Sequence, residues 1–162
     1  MPIDFSCPIS GEQRDNTTAR IVAGLTFVLA VATVALAWLV PAWIPALVAS
    51  LLATDFAVRA FAEPKYSPLA TLARGLGSAF HAPRKPVDAA PKVFAARLGL
   101  GFSVVTAVLL WLSPVAPTVP AATVVASILA LCAFLESALG FCLGCWVYAL
   151  LPHRARSQPA PQ

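Results

Sequence analysis

The stretch IVAGLTFVLAVATVALAWLVPAWIPALVASLLAT, residues 21–54, contains no charged side chain. An apolar run of about 18 residues is enough to predict a transmembrane helix, and this run is nearly twice as long. Pro41 and Pro45 interrupt it. Proline has no backbone N–H, so a carbonyl of the helix loses its hydrogen-bond donor, and lipid supplies no water in its place. We therefore expect the interruption at a membrane interface. The stretch therefore predicts a helical hairpin with transmembrane spans over residues 20–40 and 43–62.

A second uncharged stretch, residues 98–135, repeats this design and is interrupted by Pro114, Pro117 and Pro120. It predicts spans over residues 93–113 and 120–150. The sequence thus predicts an all-α membrane protein whose four transmembrane helices form two tandem hairpins.

The two hairpins also begin alike, with ARIVAGLTFV at residues 19–28 and ARLGLGFSVV at residues 96–105. This likeness favours a tandem duplication related by an axis along the membrane normal. The alternative is a coincidence in a chain rich in alanine and valine.

The composition agrees with a membrane protein. Of the 162 residues, 59% are apolar and 11% are charged, whereas about 25% of the residues in soluble proteins are charged. We expect one integral membrane domain over residues 1–151 and a disordered cytoplasmic tail over residues 152–162. The net charge of +4 does not predict nucleic-acid binding, because the basic residues flank the apolar runs without interleaved aromatic residues.

The distribution of positive charge predicts the orientation in the membrane. All 11 lysines and arginines lie in the leader, the central loop with its edges, and the tail, and none lies in the two proline turns. The positive-inside rule then places both termini and the central loop in the cytoplasm. We expect a multi-pass protein of the bacterial cytoplasmic membrane, with the lipid bilayer as its first partner.

The central loop contains a predicted short helix. Ser67 and Pro68 are typical of a helix start, and apolar residues then recur at three- and four-residue intervals at Leu69, Leu72, Leu76 and Phe80. This amphipathic helix either lies on the membrane surface or packs on the end of the bundle.

Two cysteines stand close together in FCLGCWVY, residues 141–148. Cys142 and Cys145 share one helix face at this spacing and can form a disulfide, hold a persulfide or bind a metal. Near the carboxyl end of the predicted fourth helix, the helix dipole is expected to raise a thiol pKa. The structural alternative is that both are ordinary small apolar residues of a membrane helix.

The other two cysteines receive different interpretations. Cys7 lies in the leader and is predicted on the same side, so it is a candidate third thiol that resolves or relays disulfides from the pair. Cys132 lies about 15 Å along the predicted helix from Cys142 and is interpreted as a packing residue. This depth also argues against a tetracysteine zinc site, and no metal is predicted.

Five ionisable residues lie in or beside the predicted spans: Asp55, Arg59, Glu136, Arg20 and Arg97. Asp55 and Arg59 are four residues apart and can pair within one helix. Arg20 and Arg97 are expected to pair with acids of the neighbouring hairpin. We favour a structural lattice of ion pairs over a proton relay, since all five lie near the boundary, where charge is least costly.

Several segments carry a family resemblance. They are Cys7-Pro8, DFAVRAF (55–61), KYSPLATL (65–72), KPVDAAPKVFAARLG (85–99) and FLESALGFCLGC (134–145). In these segments the chain resembles a bacterial membrane family known as domain of unknown function 4395, over roughly residues 7–151. The resemblance implies a small bacterial membrane protein without an established activity. Such proteins often look like companions of thioredoxin- and rhodanese-type enzymes.

Three functional hypotheses follow. The first is thiol redox or sulfur handling at the cytoplasmic face, with Cys142 and Cys145 as the working pair and a thioredoxin- or rhodanese-type protein as partner. Whether the chain is itself an enzyme stays open; if so, it is a thiol-disulfide or sulfur-transfer oxidoreductase component. The second is a non-enzymatic scaffold, or a channel subunit for small solutes or sulfur species, compatible with a homo-oligomer. The third is a quinone-coupled disulfide oxidase, which requires a quinone and a pair facing the periplasm.

Overall fold

The computed structural model describes residues 13–62, 66–79 and 86–150. Its long helices are α1 (Asn16–Leu39), α2 (Trp43–Phe61), α4 (Ala89–Leu112) and α5 (Val119–Phe134). The last of these continues as a π-helical turn, Leu135–Leu139. All four are long and apolar enough to cross a membrane, which confirms the predicted all-α membrane protein with four spans.

Shorter elements all gather at one end of this bundle. They are strand β1 (Gln13–Asp15), helix α3 (Pro68–Ala79), strand β2 (Pro86–Asp88) and helix α6 (Leu143–Leu150). We refer to this end of the bundle as the α3–α6 end. The sequence does not predict the strands, which are three residues long and pair antiparallel, with Arg14 opposite Val87.

The helices pack mainly between hairpins. Helix α2 runs along α4, and α1 runs along α5, while contacts within each hairpin complete the ring. The helices approach closely at the proline turns because the buried residues there are small, as is usual in membrane bundles. The buried cluster at the proline turns contains Ala37, Ala46, Ala49, Ala107, Leu110 and Ala122.

The packing is consistent with the tandem duplication. Exchanging α1 with α4 and α2 with α5 turns the α1–α5 contact into the α4–α2 contact. The two strands obey the same exchange, since each directly precedes the first helix of its hairpin. This pattern of contacts is the one that a two-fold axis along the bundle would produce.

Helix α3 packs on the end of the bundle. Ala70 and Ala73 are buried in a cluster with Val22 of α1, whereas Leu72 remains 54% exposed. Of the two placements that the sequence allows, packing on the bundle is therefore confirmed. The buried residues of α3 are the alanines beside the predicted apolar face, and Leu69 of that face also packs against this cluster.

The predicted single helix over residues 120–150 is wrong. Gly140 adopts a left-handed conformation with φ of 68°, and its N–H donates to the Glu136 carbonyl over 3.1 Å. Glycine enters this region without the clash that a side chain causes, so the conformation is a typical helix end. The chain turns there, and α6 starts at Leu143 as a separate helix.

Candidate functional site

Cys142 immediately precedes α6 and occupies its N-cap position. Its carbonyl oxygen accepts the N–H of Trp146 over 3.0 Å, and its Sγ accepts the N–H of Cys145 over 3.4 Å. N-cap side chains normally bond to the second or third helical N–H in this way. The cysteine pair therefore starts a helix, whereas the sequence places it at the end of one.

This position gives the two thiols different pKa values. A side-chain hydrogen bond from the Cys145 thiol lowers the pKa of Cys142 and raises that of Cys145, where burial acts in the same direction. The N-terminus of α6 also favours a thiolate at Cys142. The sequence places the pair at a helix C-terminus, which would raise the thiol pKa, whereas the structure places it at a helix N-terminus. Cys142 is thus the thiol that ionises first.

Cys142 lines a cavity of about 430 Å³ at the α3–α6 end. Pockets of about 300–1,000 Å³ are typical of small-molecule sites. All four long helices contribute to its wall, and most lining residues are apolar, among them Val22, Phe56, Phe102, Ile128 and Leu129.

Charged side chains also line this cavity: Asp15, Arg59, Arg74, Lys92 and Glu136. Lys92 donates to Asn16 Oδ1 over 2.9 Å. It also interacts electrostatically with Glu136 and with both cysteines of the pair. The sequence identifies Lys92 only as a flanking charge, because its position at the start of α4 does not reveal which way it faces.

Cys132, interpreted from the sequence as a packing residue, lines the same cavity. It lies within electrostatic range of Cys142. The turn at Gly140 is the reason, since it directs the chain to α6 and ends the straight helix that would separate the two thiols. Three thiols thus border or adjoin one cavity.

A close helix contact fixes the position of α6. A Cβ built on Gly144 lies 2.7 Å from the Cβ and 2.8 Å from the Cα of Ala95, so only glycine fits against α4 there. The rings of Phe94 and Tyr148 also meet, with centroids 5.6 Å apart. These contacts hold the cysteine pair beside the first turns of α4, where Lys92 lies.

The family model described as "Domain of unknown function (DUF4395)" matches residues 15–153. The chain is a member of the DUF4395 family. Comparison with curated proteins and with solved structures finds no match.

In this DUF4395 protein, the predicted pairing of Asp55 with Arg59 is confirmed. Asp55 is 1% exposed, and its Oδ2 lies 2.7 Å from Arg59 Nη2. Its Oδ1 accepts the hydroxyl of Ser67 over 2.6 Å and the N–H of Leu69 over 3.1 Å. Asp55 therefore fastens the start of α3 to α2, which places one wall of the cavity.

The predicted pairing of Arg20 with an acid is not what the structure shows. Its guanidinium donates to the carbonyl oxygens of Ser137, over 3.2 and 3.0 Å, and of Ala138, over 3.0 Å. Carbonyl groups at a helix end lack partners within the helix, and arginine donors can satisfy them. Arg20 thus stabilises the end of the π-helical turn.

The remaining predicted residues take separate places. Arg97 lies over the ring of Phe61, 5.7 Å from its centroid, and this neighbour is aromatic where an acid is expected. Glu136 lines the cavity, with Lys92 and Arg59 as its electrostatic partners.

Cys7 lies outside the described residues. Within residues 13–62, 66–79 and 86–150, no cluster of three or more histidine, cysteine or acidic side chains could hold a metal ion.

Proposed function

We propose that this membrane protein performs thiol-disulfide or sulfur-transfer chemistry, with Cys142 as the attacking thiol and Cys145 as the resolving thiol. The observation that carries the proposal is the N-cap position of Cys142, whose Sγ accepts hydrogen bonds from the N–H and the thiol of Cys145. A thiolate is the reactive form of cysteine, and both contacts favour it at Cys142.

The exchange reaction balances within this pair. The Cys142 thiolate attacks a disulfide sulfur of a partner, forms a mixed disulfide and releases one partner thiolate. Cys145 then gives up its proton and attacks Cys142 Sγ, which releases the second partner thiol. The partner disulfide is reduced to two thiols, and the pair is oxidised to a disulfide. The same steps run backwards when the pair oxidises a dithiol.

The partner belongs to the side of the membrane that the α3–α6 end faces. Arg20, Arg59, Arg74, Lys92 and Arg97 all lie towards this end, which supports a cytoplasmic orientation under the positive-inside rule. A thioredoxin- or rhodanese-type protein of the bacterial cytoplasm fits as the exchange partner. Cys7 belongs to the proposal as a relay thiol.

Trapping the mixed disulfide tests this function. Cys145→Ser removes the resolving thiol, so we expect it to accumulate a covalent complex with thioredoxin-type proteins in native membranes. Cys142→Ser is expected to trap nothing, and Cys132→Ser serves as a cysteine-removing control that behaves like the unmodified chain. Complexes that form equally with Cys142→Ser, or that require Cys132, would contradict the assignment.

A further inference from the structure

The cavity beside the cysteine pair contains an unusual hydroxyl group. Thr26 lines the cavity and is 2% exposed. Among the residues that the structure describes, its Oγ1 has no hydrogen-bond partner. Other threonines and serines of the spans bond back to a carbonyl of their own helix, as Thr33 does to Leu29 over 2.8 Å and Ser103 to Gly99 over 2.8 Å. A buried hydroxyl without a partner is costly, which points to a ligand that completes it.

The depth of Thr26 matches that of Glu136. Next to it, Phe27 contacts Phe134 with ring centroids 5.4 Å apart, and a Cβ on Gly24 lies 3.8 Å from Ser137. Thr26 therefore lies at the level of the π-helical turn that carries Glu136. A ligand in the cavity can therefore meet both this hydroxyl and charged residues that line the same cavity.

The wall chemistry restricts the class of ligand. The aromatic and aliphatic surface between the spans suits an apolar molecule that reaches the site through the membrane. Thr26 supplies a hydroxyl donor, and Lys92 has three ammonium donors, of which Asn16 occupies one. These groups suit an apolar ring whose edge bears hydrogen-bond acceptors. A plain acyl chain has no acceptor for these donors.

We propose that this cavity binds a lipid-soluble quinone, and that the quinone takes electrons from the Cys142–Cys145 pair. The binding part stands on the cavity and Thr26. The electron-transfer part rests on the proposed thiol function. A quinone dissolves in both leaflets, so the site does not depend on which side of the membrane α6 faces.

Electron transfer moves two electrons from the two thiols to the quinone. The Cys142 thiolate forms an S–C bond to a ring carbon of the quinone, and one ring oxygen gains the negative charge. Cys145, deprotonated, then attacks Cys142 Sγ and breaks that bond, so a disulfide forms and the bonding electron pair stays on the ring. The two protons that the thiols give up end on the two ring oxygens, which yields a quinol. Lys92 and Glu136 line the same cavity as Cys142 and are the groups that can pass those protons.

Binding is tested separately from electron transfer, with ubiquinone-1 as the probe. In the full chain carrying Cys142→Ser and Cys145→Ser, equilibrium dialysis in detergent is expected to show saturable binding. Thr26→Val keeps the shape but removes the hydroxyl, and loss of about one neutral hydrogen bond weakens binding roughly threefold to tenfold. Thr33→Val is the matched control, because Thr33 is equally buried at 2% but already bonded to Leu29, and it should leave binding unchanged.

Three results would overturn the quinone site. They are absence of saturable binding, equal binding by Thr26→Val and the parent, and displacement of the probe by decanol as effective as displacement by unlabelled ubiquinone-1. The last result would identify an unspecific site for alkyl chains.

Electron transfer is measured with the reduced chain under anaerobic conditions. We expect one quinol for each Cys142–Cys145 disulfide formed, and no quinol from Cys145→Ser. If mixed disulfides form with partners but the quinone does not bind, the quinone site fails and the thiol function stands. If the quinone binds but the reduced pair yields no quinol, the electron-transfer part fails and the binding site stands.

Discussion

The backbone N–H of Cys145 lies 3.4 Å from Sγ of Cys142, where it caps the first turn of α6. This relationship gives the two cysteines different chemistry although three residues separate them. Cys142 gains contacts that favour its thiolate, and Cys145 becomes the donor that must keep its proton. Under the proposed thiol function, this difference predicts attack by Cys142 followed by resolution by Cys145.

The hydrogen bond from Cys145 is the largest cause of the lowered pKa of Cys142, while Lys92 contributes the least. Cys145→Ala should therefore raise the pKa of Cys142 more than Lys92→Gln does. The pH dependence of Cys142 alkylation measures both shifts, and Arg97→Gln is a control that removes a charge next to Phe61. A larger shift from Lys92→Gln than from Cys145→Ala would reverse the assigned causes.

Gly140→Ala should destabilise the protein by about 1–2 kcal/mol, because a Cβ is strained in the left-handed conformation with φ of 68°. Gly75→Ala is the matched control in α3, where no described atom lies within 4 Å of the new Cβ. Alanine in a helix interior is favoured over glycine by about 0.5–1 kcal/mol. Thermal unfolding in detergent should thus show a lower Tm for the first variant and a higher one for the second. The reverse order would contradict the turn at Gly140.

Gly144→Ala should move α6 away from α4, since the new Cβ would lie 2.8 Å from the Cα of Ala95. We expect Cys145 to become accessible and its alkylation to accelerate several-fold, while the global fold survives. Gly101→Ala, at a position with no described atom within 4 Å of the new Cβ, should leave both cysteines unchanged. Unchanged Cys145 reactivity in Gly144→Ala would mean that this contact does not hold α6.

Asp55→Ala should detach the start of α3, because it removes the acceptor of Ser67 and Leu69 and the ion-pair partner of Arg59. Loss of one member of a buried ion pair typically costs about 3–5 kcal/mol. Hydrogen exchange of the α3 amides should rise, and Asp55→Asn, which keeps an acceptor oxygen, should show a smaller increase. Protection of α3 that is equal in Asp55→Ala and the unmodified chain would show that another contact anchors this helix.

The sequence predicts the membrane architecture well because hydropathy acts over whole helices. The uncharged stretches 21–54 and 98–135 set four spans, and the prolines set the turns. The fourth helix is mispredicted because one glycine decides its end. Gly140 can stay within a helix or turn left-handed, and the packing of Gly144 on Ala95 accompanies the second conformation.

The sequence identifies the cysteine pair of the candidate site but not the other residues around it. The spacing of Cys142 and Cys145 identifies the pair, but its position at a helix start depends on the turn at Gly140. Thr26 and Lys92 carry no sequence signal, since a threonine in an apolar run and a lysine at a span boundary are both common in membrane proteins. Their positions in the cavity arise from packing between helices distant in sequence.

Cys142 is proposed as the reactive thiol of the pair. The most direct measurement is the pH dependence of alkylation at Cys142 and at Cys145, quantified by mass spectrometry of the full chain in detergent. Because the thiolate reacts, a lowered pKa moves the midpoint for Cys142 below the value of about 8.5 for a free cysteine, and the raised pKa of Cys145 moves its midpoint above that value. Midpoints that coincide, or a Cys145 that reacts at lower pH than Cys142, would contradict the account.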